Sequence, residues 1–214
     1  MLGEVFSEFM MSSVGRVTAL ILAFILMLLL FMFFKRDSNI PLRALTYSAI
    51  CLALAFIASN IRIYQMPMGG TITAGSMLFV SLIGYWFKLK VGLVAAVAFG
   101  FLMVTLDPFV IHPIQFLLDY PIAFGFLGLS GLFSEKKYGL ILGYVIGVSG
   151  RLFCAVLSGV VFFGMFVPEG TNVWLFSFLY NITYIGPEAA ITIIIMAIPA
   201  FRNAVDTIGK QLHK

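Results

Sequence analysis

Long apolar runs separated by short polar turns constrain the fold of this chain more than any other feature. The first of them, 17–34, holds Thr18 as its only polar side chain. About 20 apolar residues carry an α-helix across the hydrocarbon core of a bilayer. Of the 214 residues, 62% are hydrophobic and 10% are charged, whereas about a quarter of the residues in an ordinary soluble domain are charged. These proportions exclude a water-soluble enzyme and predict an integral membrane protein.

The apolar runs predict seven membrane spans. Because lipid offers no partners to open backbone groups, each span is predicted to be helical, and the fold to be all-α. The predicted spans are 17–34, 41–60, 73–87, 91–106, 114–133, 138–166 and 174–200. The first is too long for a signal-peptide core and ends on Lys35 and Arg36, so we interpret it as a retained helix. Residues 1–40 are then an extra N-terminal helix with its linker, and residues 41–214 a membrane domain with a short tail.

The basic residues indicate how the chain is oriented. Ten of them fall on the side of the membrane where the first predicted helix ends, and only Arg16 and Arg62 fall on the other. The ten are Lys35, Arg36, Arg43, Lys88, Lys90, Lys136, Lys137, Arg202, Lys210 and Lys214. Cytoplasmic loops carry such an excess of positive charge. We predict a plasma-membrane protein with its N-terminus outside and its C-terminus in the cytoplasm, and no nucleic-acid partner.

The loops predicted to lie outside are rich in glycine, proline and aromatic residues. They contain residues 67–73, 107–113 and 167–173. Such loops can form a lid over an outward-opening pocket, or they can be tight turns between helices; the sequence leaves both readings open.

Three ionisable side chains lie inside the predicted spans, where charge is costly and each is a functional-site hypothesis. Asp119 lies about one and a half turns from the outer end of its span, with no cationic residue at its depth. This isolation favours a cationic ligand, or accessible water, beside Asp119. Arg151 and Glu188 lie deeper, at matching distances from the outer ends of consecutive antiparallel spans. We therefore predict that Arg151 and Glu188 form a structural ion pair.

Aromatic and hydrogen-bonding side chains surround the depth of Asp119. They are Tyr120, Phe163, Trp174, Phe176, Tyr180, Asn181 and Tyr184. Aromatic faces attract cations, more strongly once water is excluded. Together with the carboxylate they suit a flat, positively charged small molecule, although aromatic belts also occur at membrane interfaces without a ligand.

Several kinds of chemistry find no support in the sequence. It has no phosphate-binding loop, no HExxH motif and no nucleophile elbow. Cys51 and Cys154 both lie in apolar segments and are interpreted as core residues, so no metal ion or cofactor is predicted. An intramembrane enzyme using the three ionisable groups is the weakest reading, because no nucleophile is paired with a base. Energy for active transport would come from another protein or an ion gradient.

Polar and glycine-rich landmarks in the chain resemble the ThiT family, the thiamine-specific substrate-binding (S) components of energy-coupling factor (ECF) transporters. They occur in family order at 67–77 (PMGGTITAGSM), 112–124 (HPIQFLLDYPIAF), 158–164 (SGVVFFG), 168–174 (PEGTNVW) and 180–184 (YNITY). The resemblance covers about 41–200. It implies a six-helix S-component bundle, to which span 17–34 is an addition, with a ligand pocket near the outer side. It also implies association with a membrane coupling subunit and two ATPase subunits.

The resemblance further implies roles for individual residues. Asp119 matches the pocket carboxylate that faces the thiazolium cation, and Phe163 the position of an aromatic stacked on the ligand. Tyr120, Gly159 and Asn181 match other pocket positions, and Phe176 stands at a ligand-facing position of the family. Tyr184, from the aromatic group around Asp119, completes the predicted substrate-binding set. Ala49 and Ala53 match the small-residue pair that packs against the coupling subunit.

Two departures from the family pattern affect the predicted pocket. Ala155 stands where the family usually has histidine, and Phe176 where it has a ligand-facing tyrosine. The ligand is therefore expected to be thiamine or, alternatively, a thiamine precursor or another vitamin-like molecule.

Overall fold

The computed structural model describes residues 41–212 apart from 68, 107 and 108, together with scattered positions between 5 and 25. The predicted first span, 17–34, and with it the proposed division at residue 40, lies largely outside the described residues. The C-terminal residues 213 and 214 lie outside them as well.

Within the described residues, five helical segments are, by length and composition, long and apolar enough to cross a bilayer. They are α1 (Leu42–Asn60), α2 (Ser76–Met103), α3 (Pro113–Phe133), α4 (Gly139–Phe162) and α5 (Val173–Ala197). A shorter helix, α6 (Pro199–Leu212), follows. The predicted helical membrane fold is confirmed, and the helices end close to the predicted span boundaries.

Helix α2 folds back on itself at Lys88, whose backbone has a φ of 66° in the middle of the helical run. Gly84 and Gly92 would lie about 12 Å apart in a straight helix. Instead, a Cβ atom built on Gly92 would lie 2.6 Å from the Cα of Gly84. The two arms, 76–87 and 89–103, therefore pack against each other, in agreement with the predicted separation of spans 73–87 and 91–106.

The centre of the bundle is the packing of α2 against α3 and α4. A Cβ atom built on Gly128 would lie 2.6 Å from the backbone of Gly92, so α2 and α3 meet without intervening side chains. Small residues allow this close approach between membrane helices. Fully buried side chains fill the space on either side; they include Met77, Val80, Ile83, Phe99, Leu127 and Tyr144.

Helix α3 is irregular, whereas the sequence predicted a regular span. It begins as an α-helix at Pro113–Leu117, widens to a π-helical turn at Leu118–Ile122 and ends as a 3-10 helix at Phe126–Phe133. Pro121 lies inside the wide turn and has no amide hydrogen to donate to a regular helix. Such π-bulges are frequent at functional sites, and this one contains Asp119.

A two-stranded hairpin connects α1 to α2, and the sequence analysis did not predict it. Strand β1 (Arg62–Gln65) pairs antiparallel with β2 (Thr71–Thr73), with Arg62 opposite Thr73 and Gln65 opposite Thr71. A half-buried strand is recognised in a sequence by alternating apolar and polar residues. All four residues of β1 are exposed, and its sequence does not alternate in this way.

The basic end of the bundle lies opposite the hairpin, since Arg43 begins α1 and the hairpin follows the end of α1. Helix α6 packs there, where the sequence predicted only a tail. The indole nitrogen of Trp86 donates to the Val205 carbonyl at 3.2 Å, and Arg43 donates to the Gln211 carbonyl at 3.5 Å. This helix mixes apolar and charged residues, so no long apolar run marked it in the sequence.

Candidate functional site

A cavity of about 290 Å³ opens between the hairpin and helices α3, α4 and α5. Its size is close to the lower end of the range for small-molecule sites. All seven residues predicted to bind substrate lie on its wall, although they come from α3, from α4 and the residue that follows it, and from α5. They are Asp119, Tyr120, Gly159, Phe163, Phe176, Asn181 and Tyr184.

Asp119 is held in the cavity wall by one of its two carboxylate oxygens. Its Oδ2 accepts hydrogen bonds from Gln115 Nε2 at 2.6 Å and from the Ser158 hydroxyl at 2.8 Å. Among the described residues, no donor is bonded to Oδ1. The carboxylate is therefore fixed in position while one oxygen stays available to a ligand.

Gln115 orients Asp119 and was missed in the sequence analysis. It is buried, donates to the Phe109 carbonyl at 3.0 Å, and accepts from the Ile111 amide at 3.1 Å. Its place four residues before Asp119, on the same helix face, was the available signal. Ser158 belongs to α4, so only the tertiary structure places it beside the carboxylate.

Stacked aromatic rings form the outer part of the cavity wall. Phe163 stacks on Phe109 with ring centroids 5.6 Å apart and planes 20° apart, and Phe176 stacks on Tyr180 at 6.5 Å and 15°. The edge of Tyr184 meets Tyr180 at 6.1 Å. Trp174, which the sequence grouped with these rings, is exposed and does not line the cavity.

Asn181 and Gly159 join helices α4 and α5 beside the cavity. The Asn181 amide nitrogen donates to the Ser177 carbonyl at 2.8 Å and to the Ala155 carbonyl at 3.3 Å, and its oxygen accepts from the Tyr184 hydroxyl at 2.6 Å. A Cβ atom built on Gly159 would collide with the Ser177 side chain. Both residues thus have packing roles in addition to the predicted ligand contacts.

The predicted ion pair between Arg151 and Glu188 is wrong. Glu188 is 3% exposed and accepts hydrogen bonds from the Thr73 amide at 3.0 Å, the Thr73 hydroxyl at 2.8 Å and the Ser76 hydroxyl at 3.4 Å. The Arg151 guanidinium lies 4.2 Å from the centre of the Phe124 ring. No ion pair within 4 Å joins these two described residues. Two side chains at equal depth on neighbouring helices meet only if both point toward each other. Glu188 instead points toward the donors of Thr73 and Ser76, where the hairpin ends and α2 begins.

Both of these charged residues nevertheless line the cavity. Glu188 anchors the end of strand β2 through Thr73 and the start of α2 through the Ser76 hydroxyl. Arg151 is half-buried and places a positive charge in the wall, and Glu188 does not supply its counter-charge.

The hairpin loop covers the cavity. Met66, Pro67, Gly69 and Gly70 belong to the wall, and a Cβ atom built on Gly70 would lie 2.5 Å from the Tyr184 ring. Gly69 adopts a φ of 100° and packs close to Phe109. These contacts fit the lid reading for the loops near 67–73 and 107–113. None of the described residues 167–173 lines the cavity.

Ala49 and Ala53 lie far along α1 from the cavity lining. Both are exposed, one turn apart, whereas Ser48, Cys51 and Ala55 of the same helix are buried against the bundle. The pair is therefore presented outward, where another membrane helix can reach it.

Comparison with known proteins places the chain in a family. The family model described as "Thiamine transporter protein (Thia_YuaJ)" matches residues 45–206. The chain belongs to this family. The matched residues include every cavity residue named above, and the family consists of transporters rather than enzymes.

Two curated members of the thiamine transporter family are similar to the chain. The "Thiamine transporter ThiT" of Bacillus subtilis (strain 168) is 37% identical over 148 residues, which are 63% of this chain and 77% of that protein. The protein of the same name from Lacticaseibacillus paracasei is 37% identical over 111 residues, 42% of this chain and 55% of that protein.

A solved structure of a family member shares the fold. The structure of ThiT from Listeria monocytogenes superposes with a TM-score of 0.66 at 23% sequence identity, covering 81% of this chain and 99% of that one. The bundle thus shares its overall fold with that solved structure.

Proposed function

We propose that this protein is the membrane-embedded thiamine-binding subunit of an ECF-type importer, which captures thiamine outside the cell for ATP-driven uptake. One observation carries the proposal: a carboxylate fixed by a single oxygen, Asp119, stands among aromatic rings in a cavity that the hairpin loop covers.

The chemistry of thiamine matches this wall. Thiamine joins a positively charged thiazolium ring to an aminopyrimidine, so it needs a counter-charge, flat apolar surfaces and a few hydrogen-bonding groups. Asp119 supplies the counter-charge. The Phe109–Phe163 stack and the Phe176 ring supply the surfaces. The Tyr184 hydroxyl, directed by Asn181, supplies a polar group for the pyrimidine.

The positions of the charges support capture from outside. The cavity and hairpin lie at one end of the bundle, and Arg43 and Lys88 lie at the other. Positive residues mark the cytoplasmic side. In this orientation the cavity opens outward and the C-terminus lies in the cytoplasm.

ATP-driven uptake would require partner subunits, because the sequence has no phosphate-binding loop of its own. A membrane coupling subunit and two ATPase subunits would supply the energy. The exposed Ala49 and Ala53 allow a partner helix to approach the α1 backbone closely.

Binding measurements on purified protein test the ligand. Isothermal titration with thiamine should give submicromolar affinity, and the separate pyrimidine and thiazole halves should bind far more weakly because each fills only part of the wall. The second candidate, a thiamine precursor, is favoured by Ala155 and Phe176, which bring no hydrogen-bonding side chain to the wall. Tighter binding of either half than of thiamine would establish that candidate instead.

Co-purification tests the proposed interface. Ala49→Trp should abolish capture of the coupling subunit and leave thiamine affinity unchanged, because the helix face is blocked and the cavity is untouched. Ile194→Trp, on the exposed face of α5, is the matched control and should leave capture intact. Equal capture by the two variants would refute an interface at Ala49.

A further inference from the structure

A second cavity, of about 180 Å³, lies at the basic end of the bundle. It is formed by the turn between α3 and α4, the end of α5 and the first turns of α6. The proposed thiamine site does not use it, and no described residue lines both cavities.

The second cavity has an excess of positive charge. Lys136, Lys137 and Arg202 line it, against the single carboxylate of Asp206. Asp206 accepts a hydrogen bond from the Tyr85 hydroxyl at 3.4 Å. Among the residues that the structure describes, none of the three cations forms an ion pair within 4 Å. An anionic group would therefore find donors that are not already neutralised.

Two of these cations lie over the aromatic ring of Tyr138 at the cavity. The Arg202 guanidinium lies 4.8 Å from the centre of its ring and the Lys137 ammonium 5.5 Å. The Tyr138 backbone has a φ of 65°, a left-handed conformation that is unfavourable for a bulky residue. Strain of this kind persists where the surrounding structure enforces it and clusters at ligand clamps.

The surroundings of the cavity suit a lipid. It lies where α4 begins and α5 ends, which is the depth of lipid headgroups for helices that cross the hydrocarbon core. Exposed apolar side chains border it: Leu142 lies one turn from Tyr138 on α4, and Ile198 one turn before Arg202. A phosphate in the cavity would leave acyl chains free to run along these side chains.

We propose that this cavity binds the headgroup of an anionic phospholipid, with Lys136, Lys137 and Arg202 as its phosphate contacts. Basic pockets between membrane helices at the cytoplasmic side are suited to such headgroups. The site is independent of thiamine binding, so it stands or falls separately from the proposed function.

Native mass spectrometry of the full chain in detergent tests the proposal. Phosphatidylglycerol and phosphatidylcholine with identical acyl chains are the two probes, and phosphatidylglycerol should be retained preferentially. Lys137→Gln and Arg202→Gln should each weaken its binding about fivefold, because each removes about one charge's attraction at the membrane surface. Lys90→Gln and Lys210→Gln are matched controls, since these exposed cations lie at the same end of the bundle but outside the cavity lining.

Three alternative outcomes would overturn the proposal. Equal retention of the two lipids would show that charge is not recognised, and equal losses in all four variants would indicate a diffuse surface charge. Competition by inorganic phosphate alone, at equal affinity, would show a free-anion site instead of a lipid site. Unchanged thermal unfolding of the variants confirms that they are folded.

Discussion

Replacing the Asp119 carboxylate by an amide isolates the role of its charge. In the unsubstituted protein, Gln115 Nε2 and the Ser158 hydroxyl donate to Asp119 Oδ2 at 2.6 and 2.8 Å. In Asp119→Asn the amide oxygen can still accept both hydrogen bonds. The side chain keeps its shape and its hydrogen bonds within the protein, so the fold and the cavity should survive. What disappears is the negative charge that the free oxygen offers to a cation.

The size of the effect follows from Coulomb's law. Two unit charges about 4 Å apart interact by about 4 kcal/mol at an effective dielectric constant of about 20. Part of this is offset, because an unliganded cavity no longer bears the cost of a partly buried carboxylate. A net loss of about 2–4 kcal/mol remains, which weakens thiamine binding roughly 30-fold to several hundredfold.

Isothermal titration with two ligands measures this directly. One ligand is thiamine, and the other is an analogue in which an uncharged ring replaces the thiazolium. Asp119→Asn should weaken thiamine binding by the amount above and change binding of the neutral analogue by less than about threefold, since no charge is lost against it. Glu135→Gln, a carboxylate that is 81% exposed at the opposite end, is the matched control and should change neither. Equal losses for both ligands would refute a charge–charge role for Asp119.

Substitutions at three further positions, two beside the site and one at the opposite end of the bundle, are tested by thermal unfolding in detergent. Glu188→Ala leaves the Thr73 donors without an acceptor and should cost about 3 kcal/mol, whereas Glu188→Gln should cost much less; equal losses would contradict a hydrogen-bonding role. Gly159→Ala should destabilise by about 1–3 kcal/mol, and adding Ser177→Gly should restore part of that loss; no recovery would contradict the close contact. Lys88→Gly should exceed Lys88→Ala in stability by about 1–2 kcal/mol, because glycine tolerates a φ of 66°; equal stability would contradict a strained turn.

Properties that can be read from contiguous segments of the sequence determined the membrane architecture. Each span had to be helical because its own backbone groups have no other partners in lipid, and apolar runs of known length mark where the spans lie. The break at Lys88 followed from two lysines between apolar runs, and the aromatic landmarks indicated where a cavity would form. Asp119 was identified as a site residue because its neighbours in sequence and depth carry no positive charge.

Side-chain partners were decided only by the tertiary structure. The rotation of each helix about its axis sets which residues meet, and this rotation depends on packing with the whole bundle. Glu188 therefore binds Thr73 and Ser76 instead of Arg151, and Ser158 reaches Asp119 from another helix. The sequence did not reveal the hairpin because β1 has no buried face, and it did not reveal α6 because the apolar side of α6 is buried only against Trp86 and its neighbours. The sequence alone determined which segments lie in the membrane and which of their side chains are ionisable; the folded bundle decided which donor or ring meets each charge, because that depends on helices distant in the chain.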